Sequence, residues 1–332
     1  MKLLLVRLSS MGDLIHTLPA LTDLSRQCPD IELHWLCEAA FADIARLHPF
    51  VRTVHTMRWR QWRKRLFQAA VWREIGSLKT ALRGEGYERV LDSQGLVKSA
   101  LSARLAAAPT DGLDRHSARE PIASWFYRHR YPVDRARDAV WRNRTLFGRA
   151  FGYTPEGAPD FGLRVPESAQ GSLKTRFAEA GGLPEAYHVA LHATSRDSKL
   201  WPQQNWTALL AAQYRRDGLP VLLPWGSEAE RQRAQALADA LPHARPCPRL
   251  SLSEAAALLQ GARAAVGVDT GLLHLANAAG TPLVGIYTDS DPVRTGVQLS
   301  PRASQLGGIG LCPTPEAVLS ALAECIAAKQ AA

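Results

Sequence analysis

The 332-residue chain is expected to fold as two α/β domains, each built on a doubly wound parallel sheet. Three observations predict this. Short apolar runs alternate with turns and amphipathic stretches, a Pro/Gly-rich segment separates two such series, and the length suits two domains better than one. In the first half the strand candidates are KLLLVRL (2–8), ELHWLCE (32–38) and RVLDSQG (89–95). In the second they are HVALHATS (188–195), PVLLPWG (220–226), AAVGVDTG (264–271) and PLVGIYT (282–288). The divider is TPEGAPDFGLRVPE (154–167), which sets the expected domains at 1–160 and 161–310. Ligands of such sheets sit beyond the strand ends, so a cleft between the domains is the expected site.

Composition narrows the function classes. No run approaches the roughly 18 apolar residues of a membrane span. Arg7 interrupts the opening apolar run and Asp13 follows, so MKLLLVRLSS reads as a strand and not as an export signal. Cys28, Cys37, Cys247, Cys312 and Cys325 form no C-x-x-C or Cys/His cluster, which predicts reduced thiols in a cytoplasmic protein without structural zinc. The formal charge of +9 is unevenly spread: residues 1–160 carry +8 and residues 161–332 carry +1. An anionic partner is therefore expected for the first half only.

Three stretches of the second half describe a nucleotide-diphosphate pocket. HATSRDSKLWP (192–202) leaves a strand with Thr194, Ser195 and Lys199 close together, two hydroxyls and an ammonium suited to a diphosphate or, more simply, to a turn. GVDTGLLHLANAAGTP (267–282) ends a strand at Asp269 and starts a helix at Thr270 and Gly271, with His274 one turn on. A helix start of this kind favours an anion even where Asp269 and Thr270 also act as caps. In PWGSEAER (224–231), Glu230 could accept hydrogen bonds from ribose hydroxyls or stand solvated in a first turn. The chain has no G-x-G-x-x-G and no Walker loop, which disfavours dehydrogenase and P-loop readings.

In the first half, residues 52–72 hold six Lys/Arg and no acid, with Trp59, Trp62, Leu66 and Ala69 or Ala70 at helical spacing. One helix is predicted there, its apolar stripe either in the core or at a membrane interface with an acidic glycolipid. Residues 115–144, which include Arg119, add eight Lys/Arg against three acids, and LDSQGLVKSAL (91–101) places Gln94 and Lys98 just past a strand end. Asp13 follows the first strand at the opening of a helix. It can serve as a cap, yet Ser9 and Ser10 already provide for that, which leaves its carboxylate available as a general base.

LSSMGDLIHTLPALTD, QWRK, DSQGLVKSA, AREPIAS, HATSRDSKLWP, LPWG with ERQRA, and VDTGLLHL run in order across nearly the whole chain. In these stretches the sequence resembles the ADP-heptose:lipopolysaccharide heptosyltransferases of glycosyltransferase family 9, nearest to the heptosyltransferase I branch. The resemblance implies a GT-B fold, two Rossmann-like domains facing across a cleft, with a C-terminal helix (311–332) crossing back to the first. It implies inverting, metal-independent transfer of L-glycero-D-manno-heptose from ADP-heptose to the first Kdo of Kdo2–lipid A. Asp13 would then be the base. Ser9, Ser10, Gly12, Thr194, Ser195, Lys199, Asp269, Thr270, Gly271 and His274 would surround the donor, with Glu230 on ribose and Leu250 beside adenine. Arg60, Arg63, Lys64, Gln94, Lys98 and Arg119 would hold the anionic acceptor. Ser195 stands where the family often has Thr, and YTDSDP (287–292) replaces a Tyr-Gly-Pro-Thr-Asp-Pro loop with one that adds a charge.

The resulting expectation is a cytoplasmic enzyme without cofactor, held peripherally at the anionic cytoplasmic face of the inner membrane and binding no nucleic acid. Within the family the alternative is a heptosyltransferase II acting on heptosyl-Kdo2–lipid A; DSQGLVKS and QWRK favour I. Outside it, the pI near 9.6 and the Arg/Trp-rich residues 58–73 suggest a nucleic-acid-binding protein, which leaves the neutral half's cluster unused.

Overall fold

The computed structural model describes residues 1–330 and divides into two compact units between Leu163 and Arg164, inside the Pro/Gly-rich stretch. The first unit contains β1 (Lys2–Val6), β2 (Glu32–Glu38), β3 (Val51–Met57), β4 (Arg89–Asp92), β5 (Thr110–Leu113) and β6 (Arg130–Tyr131). They form one parallel sheet in the order β3-β2-β1-β4-β5-β6. The second unit contains β7 (His188–Leu191), β8 (Val221–Leu223), β9 (Ala244–Pro246), β10 (Ala264–Val268), β11 (Leu283–Tyr287) and β12 (Ala303–Gly307). Its sheet is also parallel, ordered β12-β11-β10-β7-β8-β9. In each unit the first strand lies beside the fourth, the order of dinucleotide-binding folds.

All seven predicted strands are present. Those at the centre of each sheet are covered on both faces, which is why they read as unbroken apolar runs. Five further strands escaped the sequence reading: β3, β5, β6, β9 and β12. They are short, polar or half-buried at the edges, so they carry no clear period.

The expectation of one helix over 52–72 is overturned. Thr53 pairs opposite His34 and Val54 opposite Trp35, so this stretch begins as an edge strand. Its β-branched Val51, Thr53, Val54 and Thr56 suit that conformation better than a helix. Helix is confined to Trp59–Trp62, and a new helix runs from Ala69 to Gly84. Trp62 is buried, its indole N–H donating to Glu74 at 2.7 Å, while Trp59 packs partly buried against the same core. Leu66, Phe67 and Trp72 are exposed, so these residues do not form one stripe.

Apolar contacts close both units. Leu4, Val6, Leu36 and Val90 pack with Leu78 and Leu82 in the first. In the second, Val266, Val284 and Ile286 pack with Trp206 and Leu209 of helix Gln203–Asp217 and with Val318, Leu322 and Cys325 of helix Pro315–Gln330. The C-terminal helix thus buries its apolar side on the sheet of its own unit.

At the end of β4 the buried Asp92 organises the DSQG turn. Burial pushes its carboxyl above the usual range, and the Tyr127 hydroxyl (2.7 Å) and Gln94 N–H (2.8 Å) donate to it. Gly112 permits this arrangement, because a Cβ there would lie 2.6 Å from the Tyr127 ring. Gly112→Ala should therefore cost about 1–3 kcal/mol through overpacking. Calorimetry should show a melting temperature lower by several degrees; an unchanged value would mean that the ring gives way freely.

Candidate active site

In the first unit, the chain leaves β1 through Arg7 and Ser9–Ser10 and enters the short helix Met11–Ile15. Asp13 Oδ2 accepts from the Ser10 N–H (2.7 Å) and hydroxyl (2.9 Å), which is the work of a helix cap. Its other oxygen accepts from Arg7 at 3.1 Å, and the side chain remains 36% exposed. Asp13 is thus both a cap and an ion-paired carboxylate open to a ligand. Burial pushes its carboxyl up, but Arg7, the Ser10 donors and His16 outweigh burial and hold it below the usual value.

Arg7 was not anticipated as a site residue. Its side chain is largely buried, and its second donor reaches the Ser93 carbonyl, so it ties the end of β1 to the turn after β4. The signal was in the sequence: a charge inside an apolar run is costly unless it is paired.

The same two loops are joined twice more. Gln94 accepts from the Leu8 N–H at 2.7 Å, and Lys98 donates to the Ser9 hydroxyl at 3.0 Å. Gln94 therefore has one end committed to backbone, while Lys98 lies beside the Ser9–Asp13 turn. Burial lowers the Lys98 ammonium; Glu38 and Glu120 oppose this, while Arg60 and Arg63 add to it. The structure thus gathers Ser9, Ser10, Asp13, Gln94 and Lys98, with Arg60 and Arg63 close enough to act on Lys98. Gly12 lies in the helix's first turn; Lys64 and Arg119 are exposed on nearby segments.

In the second unit the predicted residues stand after the carboxyl ends of four adjacent strands. After β10, Asp269 is the hub. Lys199 pairs with its carboxylate, His274 lies 3.8 Å from it, and the Thr194 hydroxyl donates to its carbonyl at 2.8 Å. Burial pushes the Asp269 carboxyl up, but the neighbouring His274, Lys199 and Ser290 hold it far below the usual range. Thr270 stands at the N-cap of helix Gly271–Ala278, and Ser195 is exposed on the loop after β7. After β8, Glu230 accepts from the Gly226 N–H at 2.7 Å; after β9, Leu250 is half-buried.

The divergent YTDSDP loop meets this cluster. The Thr288 hydroxyl donates to the Ser198 carbonyl at 3.2 Å, and Ser290 of the same loop is buried. Neither residue was anticipated, because the loop's folding back onto the 197–199 turn is a long-range event.

One group among the described residues has metal-ligand character: His34, His55 and Glu85. The Tyr87 hydroxyl lies 2.9 Å from a nitrogen of each imidazole, and Lys2 donates to Glu85 at 3.0 Å. These groups satisfy one another near the start of β1, whereas Asp13 follows its end.

A doubled dinucleotide-type unit, with a partly exposed carboxylate after the first strand of one half and a Lys/Asp/His cluster at a helix start of the other, is the arrangement of a nucleotide-sugar glycosyltransferase of GT-B fold. Residues 75–326 match glycosyltransferase family 9 (heptosyltransferase), and the chain belongs to this family. It is 45% identical over 299 residues to lipopolysaccharide heptosyltransferase 1 of Pseudomonas aeruginosa, covering 89% of this chain and 81% of that protein. It also resembles the solved E. coli heptosyltransferase WaaC with ADP (TM-score 0.87, 36% identity, 98% of this chain and 100% of the other). The same E. coli protein with ADP-2-deoxy-2-fluoro heptose superimposes at TM-score 0.82 with 35% identity, covering both chains fully.

If Arg7 keeps Asp13 ionised, Arg7→Gln leaves burial as the dominant influence and the carboxyl should titrate higher. If Asp13 serves as a base, it works only when ionised, so activity would be present above its pKa and lost as pH falls through it, and the native acidic limb is expected below the ordinary carboxylate value of ~3.9. In a pH profile of kcat/KM, Arg7→Gln should move the limb upward; an unmoved limb would leave Arg7 a purely structural tie.

Proposed function

We propose that this chain transfers L-glycero-D-manno-heptose from ADP-heptose to the first Kdo of Kdo2–lipid A, inverting the anomeric carbon. Membership of family 9 and the relatives named lipopolysaccharide heptosyltransferase 1 support heptose transfer in inner-core synthesis. The ADP-2-deoxy-2-fluoro heptose bound by a 35% identical protein supports the donor. The heptosyltransferase II alternative is not favoured: that E. coli structure is 22% identical, against 36% for WaaC. The observation that carries the chemistry is the setting of Asp13, a low-pKa carboxylate open to a ligand at the switch point of the first sheet.

The acceptor hydroxyl attacks the anomeric carbon while Asp13 takes its proton. The bond from that carbon to the diphosphate oxygen breaks, and its electron pair leaves with ADP. Lys199, the Thr194 hydroxyl and the helix start at Thr270–Gly271 receive the growing negative charge. Lys199 must turn from Asp269 toward the donor, while His274 stays beside the Asp269 carboxylate. Lys98, Arg60 and Arg63, with the exposed Lys64 and Arg119, attract the acceptor's carboxylates and phosphates. Among the described residues no helix is long and apolar enough to cross a membrane. Peripheral attachment to the anionic cytoplasmic leaflet fits the acceptor, and the reaction calls on neither metal nor nucleic acid.

The test is mass spectrometry of Kdo2–lipid A incubated with protein and ADP-heptose, which should gain one heptose. Asp13→Ala should lower turnover by about 10²–10⁴-fold and leave ADP affinity nearly unchanged in calorimetry. Turnover above about a tenth of native would reduce Asp13 to its capping role. Lys199→Ala should weaken ADP-heptose binding and slow turnover together, and native turnover should survive EDTA. Loss in EDTA with recovery in magnesium would refute the metal-free mechanism.

A further inference from the structure

Two exposed apolar segments of the first unit are used by nothing described so far. One is the turn at Leu66–Phe67 with Trp72 on the helix that follows; Phe67 is 92% and Trp72 59% exposed. The Trp72 indole N–H donates to the Leu66 carbonyl at 2.7 Å, so the turn is held with the Phe67 ring in solvent. The other is the 3-10 turn Pro121–Phe126, where Ile122 is 53% and Trp125 73% exposed.

Both segments are fastened to helix Val97–Ala103, which carries Lys98. Met57 Sδ, at the end of β3 from which the first segment departs, lies 3.6 Å from the Ser102 hydroxyl, which itself donates to the Lys98 carbonyl at 2.7 Å. The Val97 N–H donates to the Glu120 carboxylate at 2.7 Å, immediately before the second segment. Between these ties, Lys98 reaches Ser9 beside Asp13, and Leu101 of the same helix is exposed.

The surroundings are cationic. Residues 58–73 hold six Lys/Arg and no acid, and residues 115–130 hold four against Glu120 alone. Exposed aromatic tips among lysines and arginines match an anionic bilayer surface: rings enter the headgroup layer while cations meet lipid phosphates. A single weak insertion holds a protein only marginally, and two signals make attachment stable.

We propose that the Phe67–Trp72 turn and the Ile122–Trp125 turn form a two-point anchor that enters the headgroup layer of an anionic membrane and holds the Lys98–Ser9–Asp13 group at the height of the acceptor sugar. The anchor rests on the reading above that the acceptor is a membrane glycolipid.

The full chain is tested by co-sedimentation with phosphatidylcholine vesicles, with and without phosphatidylglycerol. The variants are Phe67→Ser/Trp72→Ser, Ile122→Ser/Trp125→Ser, and all four together. Native protein should bind only the anionic vesicles, with tryptophan fluorescence quenched by brominated lipid. Each double variant should bind about tenfold more weakly, and the quadruple variant should not bind. All should keep native melting temperatures, as surface changes allow, and native kcat/KM on a deacylated, water-soluble acceptor. Transfer to vesicle-borne acceptor should fall in step with binding. Variants that bind like native protein, or native protein that ignores anionic vesicles, would overturn the anchor. So would native protein that binds neutral vesicles only when they carry acceptor, since the segments would then hold acyl chains. A native dimer that these substitutions dissociate would assign the patch to a second copy and also overturn it. No transfer to the soluble acceptor by native protein would instead refute the heptosyltransferase reading, and vesicle binding would still decide the anchor.

Discussion

In each sheet the first strand lies beside the fourth with all strands parallel, so the loops leaving the two central strands diverge toward opposite faces. The gap this opens is not filled by either loop, and polar groups at the strand ends must find partners across it. In the first unit, Arg7, Leu8 and Ser9 after β1 are joined to Ser93, Gln94 and Lys98 after β4. In the second, Thr194 and Lys199 after β7 are joined to Asp269 after β10. The same constraint, met twice, produces a partly exposed carboxylate, Asp13, in one unit and the Lys199–Asp269–His274 cluster in the other.

The cost of this arrangement is buried charge. Burial alone would push the Asp13 and Asp269 carboxyls upward, toward neutral acids with little use as a base or as a hub for cations. Arg7 and the Ser10 donors reverse that tendency at Asp13; His274, Lys199 and Ser290 reverse it at Asp269. Asp92 is the contrast. It is wholly buried, faces no cation at hydrogen-bond distance among its named partners, and keeps a raised pKa, which suits a residue that organises a turn. Three aspartates near strand ends thus take different protonation behaviour from their neighbours alone.

The units also differ in what they expose. The near-neutral second unit carries ion pairs well away from Asp269 as well as at it, such as Arg176–Glu254 and Arg231–Glu228, while the basic first unit shows cations and aromatic side chains together. Under the reading proposed above, that division suits a small anionic donor and a large lipid-linked acceptor. The donor needs directed hydrogen bonds within one sheet's switch point. The acceptor needs attraction over a broad surface.

Strands with continuous apolar runs, the linker and the residues after strand ends were legible in the sequence, because parallel central strands are buried on both faces and leave no other pattern. Thr194, Asp269 and Thr270 could be read together since each closely follows such a run, with Lys199 in the turn beyond the first. The conformation of 52–72 could not: its helical spacing of tryptophans competed with a β-branched segment, and pairing with β2 decided for a strand. Nor could the tie from Arg7 to the turn after β4 or the cationic partner of Asp269, since Ser93 lies 86 residues from Arg7 and Lys199 lies 70 from Asp269. Sequence by itself determined which residues carry charge and where strands end. Only the tertiary structure decided which charges meet, because the sheet order that brings distant loops together is set by packing over the whole unit and by no local signal.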